Sequence, residues 1–135
     1  MESRALTATE QDLLELAKAA ALQAYAPYSG YCVGSALSCA DGTVFQGANI
    51  ENASYSLTIC AERNAIFRAV FEGHQDILEI AIYVDSDLAF PPCGACRQVM
   101  AEFNPKMKVI FANRNETIIS DLGALLPGHF SLEKV

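Results

Sequence analysis

The apolar run Leu78 to Val84, rich in β-branched side chains, is the segment that most narrows what this chain can become. A strand of that composition reads as buried on both faces, so its sheet needs a layer of structure above and below. The rest of the sequence supplies those layers. Thr7 has the capping-box spacing to Glu10, and Leu13, Leu14, Ala17, Ala20, Ala21 and Ala24 then recur at helical intervals until Pro27. Ala26 to Gly30 reads as a loop. Two strand-like runs follow, Cys32 to Cys39 and Thr43 to Ala48, joined at the hairpin dipeptide Asp41-Gly42. Beyond the polar, irregular stretch Asn49 to Thr58, helices are predicted from Cys60 to about Phe71, with Gly73 at its C′ position, and from Cys93 to Phe103. Strands at Lys108 to Ala112 and Thr117 to Ile119, and a helical turn over Asp121 to Leu126, complete the order. That order predicts an α/β fold, a three-layer α/β/α sandwich around a central mixed sheet.

With 135 residues, 52% of them apolar, the chain reads as a single domain spanning residues 1–135, able to bury roughly two thirds of its unfolded surface. Nine Lys and Arg against 16 Asp and Glu leave a net charge of −7, which opposes binding to nucleic acid and to anionic membranes. The N-terminal residues show no apolar leader, and no run approaches the roughly 20 residues that span a bilayer. The expected location is therefore cytoplasmic.

Five cysteines cannot pair completely within one chain, and in a reducing compartment spaced cysteines point to metal binding or catalysis. Cys93 and Cys96 form a Cys-x-x-Cys at a helix start, on one helical face, and Cys60 begins the other helix. Two helix N-termini aimed at one centre would stabilise thiolates. Three thiolates leave the fourth position of a tetrahedral zinc free for water, the catalytic arrangement, whereas a structural site needs a fourth ligand. Alone, the Cys-x-x-Cys is equally compatible with a redox pair or half a structural zinc site. Cys32 and Cys39 read as small buried strand residues, and His74 as a cation at a helix end.

Cys60-Ala61-Glu62 together with Pro92-Cys93-Gly94-Ala95-Cys96 resembles the paired signature of zinc-dependent nucleoside and nucleobase deaminases. That resemblance implies a Zn2+ ion in each subunit, held by Cys60, Cys93 and Cys96, with Glu62 as the catalytic acid and base. Zinc lowers the pKa of water towards neutrality. Glu62 would take the water's proton, deliver it to cytosine N3, and move a proton to the departing amino group. Three thiolates carry one negative charge more than zinc neutralises. Arg63, an arginine that three-cysteine members of the family share, is the expected counter-charge, with Arg97 as a weaker second.

Asn49-Ile50-Glu51-Asn52 resembles the Asn-x-Glu-Asn segment of small homotetrameric cytidine deaminases, in which the residues matching Asn49 and Glu51 bind the ribose 3′-hydroxyl. The similarity extends through Pro27-Tyr28-Ser29, Val33-Gly34, Asp41-Gly42 and Leu125-Leu126-Pro127-Gly128, covering about residues 10 to 131. It implies substrate contacts at Ala61 and Tyr31, and contacts from Tyr55 and Phe130 into a neighbouring subunit's site. Where the family commonly has Phe-Pro before Val-Gly, this chain has Tyr31 and Cys32. The expected reaction is hydrolytic deamination of cytidine and 2′-deoxycytidine, in pyrimidine salvage. Asn49 and Glu51 argue against a blasticidin-S deaminase. The acidic charge and short loops argue against a polynucleotide deaminase, and Glu62 against a non-enzymatic zinc module.

Overall fold

Thr7 caps the first helix as its spacing to Glu10 predicts: its hydroxyl accepts from the Glu10 amide, and the Glu10 carboxylate accepts from the Thr7 amide. The computed structural model of the chain describes residues 4–88 and 91–134. Met1 to Ser3, on which the no-leader reading partly rests, lie outside the described residues. Helix α1 (Ala8–Ala21) leads to β1 (Val33–Cys39) and β2 (Val44–Ala48). Then come α2 (Ala61–Phe71), β3 (Ile77–Val84), α3 (Gly94–Phe103), β4 (Lys108–Ala112), β5 (Thr117–Asp121) and the short α4 (Leu122–Leu125). The strands form one sheet in the order β2-β1-β3-β4-β5, antiparallel except for the β3–β4 pair, which α3 connects. The predicted mixed sheet and its flanking helices are present.

The side-chain alternation of β3 explains the layers. Ala81 faces α1 and packs with Leu13, Leu14, Ala17, Ala36 and Ile110. Ile80 and Ile82 face the other way, into a core with Ile66 and Ala69 of α2 and Met100 of α3. Helices sit close where side chains are missing. A Cβ on Gly34 would overlap the α1 backbone at Ala17 and Ala21, and one on Gly47 would lie 2.5 Å from both the Ala61 carbonyl oxygen and the Ala65 nitrogen of α2. These two glycines set the spacing of α1 and α2 from the sheet.

Three local readings need correction. Helix α1 ends at Ala21, before Ala24 and Pro27, because Tyr25 is drawn out into a bridge with Ile50: its amide donates to the Asn49 carbonyl at 2.9 Å and its carbonyl accepts from the Glu51 amide at 2.8 Å. Cys32 precedes β1 and is only half-buried. Leu78, the first residue of the apolar run, is 52% exposed, so double-sided burial is limited to the middle and end of β3.

Glu10 is buried at the end of the sheet where β3 and β4 begin. Its carboxylate accepts from both terminal nitrogens of Arg4 at 2.8 and 2.9 Å and from Lys108 at 2.8 Å, and Lys108 also lies 3.0 Å from Glu79. Hydrogen bonds from Arg4, then Lys108 and Thr7, hold its carboxyl far below the ordinary 4.5. A carboxyl depressed in the folded state adds stability that is fully present above its unfolded pKa and is lost as pH falls towards the folded one. Glu10→Gln should therefore cost about 1–3 kcal/mol near neutrality, less than a fully buried pair because Arg4 and Lys108 are partly solvated. The gap in melting temperature between the two proteins should narrow as pH falls below 4.5, which thermal melts across pH will test.

Candidate active site

Cys60 and Cys93 occupy the N-cap positions of α2 and α3, both with extended backbone (φ −69° and −67°), and neither side chain caps its own helix. Each sulfur is thus free to leave the helix axis and meet the other, at 3.7 Å. Cys96, one turn into α3 and fully buried, completes a cluster in which all three Sγ atoms lie within 4.8 Å of one another. A tetrahedral zinc with bonds of about 2.3 Å needs sulfurs about 3.8 Å apart. The three thiols therefore fit zinc in number, softness and spacing.

The charges around the cluster favour a thiolate at Cys60. The first amides of α2 and α3 place the positive ends of two helix dipoles at the sulfurs. Arg63 Nη2 donates to Cys60 Sγ at 3.4 Å. Hydrogen bonding from Cys96, then from Arg63, holds the Cys60 thiol well below the ordinary thiol range. Cys96 moves the other way, through its hydrogen bond to Cys60 and its burial. Arg63 is held firmly cationic by the same sulfur.

Glu62 sits in the first turn of α2, only 4% exposed. Burial, reinforced by the nearby Cys60 charge, pushes its carboxyl up to about 7. A carboxyl tuned near neutrality can both accept and return a proton. The turn is fixed from beneath: the buried Ser35 hydroxyl donates to the Ala61 carbonyl at 2.7 Å, and Gly47 admits the helix to the sheet.

A cavity of about 220 Å³ opens over Cys60, Cys93 and Glu62. Of the residues singled out from the sequence, Tyr31, Asn49 and Ala61 also line it. Val33, Ile82, Val84, Thr58 and Pro91 form walls that sequence reasoning missed. Nothing in their local pattern marks them. They meet because β1 runs antiparallel to β3, which sets Val33 opposite Val84.

Asn49 and Glu51 are buried and hold the preceding loop, and Asn49 also borders the cavity. Asn49 Oδ1 accepts from the Val33 amide at 2.9 Å, and its Nδ2 donates to the Tyr31 carbonyl at 2.8 Å. Glu51 accepts from the amides of Tyr28 and Ser29 at 3.0 and 3.1 Å and from the Ser29 hydroxyl. The Ser29 hydroxyl is the main reason its carboxyl lies below the ordinary range. Glu51 does not line the cavity within this chain, and neither do Tyr55 or Phe130, both of which are well exposed. Arg97 is not a partner of the sulfurs: Nε donates to the Pro92 carbonyl at 2.7 Å and Nη1 to the Leu125 carbonyl at 2.8 Å, because α3 turns it towards the C-terminal segment. His74 lies apart from the site, with Nε2 3.4 Å from Asp41 and its ring edge against Phe45. No helix among the described residues is long and apolar enough to cross a membrane.

Comparison with known proteins agrees with this geometry. The family model described as the cytidine and deoxycytidylate deaminase zinc-binding region matches residues 7–113. A cytidine deaminase of Halalkalibacterium halodurans is 50% identical over 112 residues, 82% of this chain and 85% of that protein. One from Sporosarcina psychrophila is 46% identical over 125 residues, 91% of this chain and 92% of its relative. The crystal structure of a cytidine deaminase from Burkholderia pseudomallei superposes with a TM-score of 0.86 at 44% identity, covering 93% of this chain and 100% of that one. Fold, thiol cluster and sequence similarity converge: the chain belongs to the cytidine and deoxycytidylate deaminase family of zinc-binding enzymes.

Proposed function

We propose that this enzyme hydrolyses the exocyclic amino group of cytidine and 2′-deoxycytidine, giving uridine or 2′-deoxyuridine and ammonia, as a single-domain cytoplasmic protein of pyrimidine salvage. The observation that carries the reading is Glu62, a buried carboxyl beside three converging sulfurs on the floor of a small cavity. Cys60, Cys93 and Cys96 would hold zinc, which when bound would supply Lewis acidity that makes water nucleophilic at neutral pH. Glu62 takes one proton from the attacking water and places it on ring N3 as the water oxygen bonds to C4, then carries the second proton of that oxygen to the amino nitrogen, which leaves as ammonia as the C4–N bond breaks. Arg63 offsets the surplus negative charge of three thiolates.

Ala61 is the first residue of α2, where backbone amides have no intrahelical partner, so its N–H is available to the pyrimidine carbonyl oxygen. Tyr31 and the valines pack against the ring. Asn49 retains one lone pair and one N–H beyond its two loop bonds, and Glu51 retains acceptor capacity beyond its three, enough for a sugar hydroxyl. Tyr55 and Phe130, exposed in the single chain, complete the site of a neighbouring subunit in a homotetramer, Phe130 as an aromatic wall for the base.

The test is a substrate panel of cytidine, 2′-deoxycytidine, cytosine, blasticidin S and single-stranded DNA, followed by ultraviolet absorbance with zinc content measured in parallel. Turnover is expected for the two nucleosides alone. Zinc-loaded protein inert towards both would overturn the reading.

A further inference from the structure

Arg97 and Gln98 tie the zinc-binding end of α3 to the C-terminal segment that carries Phe130. Arg97 makes two bonds: one to the Pro92 carbonyl, next to Cys93, and one to the Leu125 carbonyl, at the last residue of α4. Gln98 Nε2 then donates to the Phe130 carbonyl at 2.9 Å. Leu125 and Leu126 are seated on the core, but among the described residues the Gln98 bond is the one that holds the backbone of 127–130. A planar guanidinium presents its donors in a fixed fork, so its two acceptors are held at a set separation. A lysine at this place could keep only one of them.

We propose that Arg97 is a positioning residue for Phe130, locking the strap at 125–130 to the loop that bears Cys93, with Gln98 securing the far end. The ring that walls the neighbouring subunit's site is thereby set by the ligand-bearing frame of its own chain, and its placement does not depend on loop packing alone. This inference rests on the reading that Phe130 meets the substrate, and the experiment separates the two.

Arg97→Met removes both bonds and should raise KM for cytidine about tenfold, the scale of losing charge-assisted hydrogen bonds, while kcat and zinc content stay near those of the parent. Arg97→Lys should fall between. Phe130→Ala should raise KM similarly, and the double variant should be no worse than either single one, because both changes remove the same contact. A second readout is independent of turnover. The chain has no tryptophan, so Phe130→Trp gives one tryptophan per chain, excited selectively over the five tyrosines, whose emission should move to the red when Arg97→Met is added. An unshifted spectrum, KM effects that multiply, or a loss confined to kcat and zinc content would overturn the positioning role. If Phe130→Ala leaves KM unchanged, the reading of Phe130 as a substrate wall fails instead, and the inference with it.

Discussion

Glu62→Gln is expected to bind zinc as the parent does and to lose turnover by about three orders of magnitude, within the range that general acid–base groups contribute. The amide has nearly the shape of the carboxyl and fills the same site in the first turn of α2. It can neither accept the proton from water nor return one to the leaving nitrogen. Folding should not suffer. Glu62 is 4% exposed and burial already disfavours its charge, so a neutral side chain there relieves a desolvation cost. Metal analysis and a thermal melt should match the parent, while the absorbance assay falls to a trace. Turnover within tenfold of the parent would remove Glu62 from the chemistry.

Cys60→Ala should have a larger combined effect, abolishing zinc binding, activity and part of the stability together. Two thiolates from one helix cannot close the site without the third, and Cys60 is also the sulfur that Arg63 contacts. A ligand that binds only the native state adds stability by mass action, so losing it should lower the melting temperature by several degrees or more. Cys39→Ala is the matched control. Cys39 is buried at the other end of β1 from the cavity, outside the thiol cluster, and its replacement should keep zinc and activity at a modest packing cost. If both variants bound zinc equally, the assignment of ligands would be wrong.

The sequence made these experiments conceivable, because the cysteines and Glu62 lie at positions whose local structure is strongly determined. Both Cys60 and Cys93 precede helices of good periodicity, and a residue at a helix start has its backbone direction largely fixed. The capping box at Thr7, the Asp41-Gly42 hairpin and the β4 strand were legible for the same reason. What escaped were features decided by partners distant in sequence. Arg97 looked like a second counter-charge because it follows a ligand, yet carbonyls at Pro92 and Leu125 claim its donors. Asn49 and Glu51 read as sugar-binding groups through the family resemblance, and the structure shows them bracing the loop at 28–33. Tyr25 left the helical pattern because residues 49–51 offered it backbone hydrogen bonds. The apolar walls Val33 and Val84 became a pair only through strand register.

The sheet keeps its two charged assemblies at opposite ends. Glu10, Lys108 and Glu79 gather where β3 and β4 begin, whereas the thiols and Glu62 lie beyond the end of β3 at Val84. Along β3 about 10 Å of packed strand separates Glu79 from Ile82, the first of its residues to line the cavity, and about 17 Å separates it from Val84. Substitutions more than about 7–10 Å apart usually combine additively. Heat tolerance and substrate preference are therefore separately adjustable in this protein: one end of the sheet can be redesigned for durability while the other is redesigned for a new nucleoside, and neither programme need wait on the other.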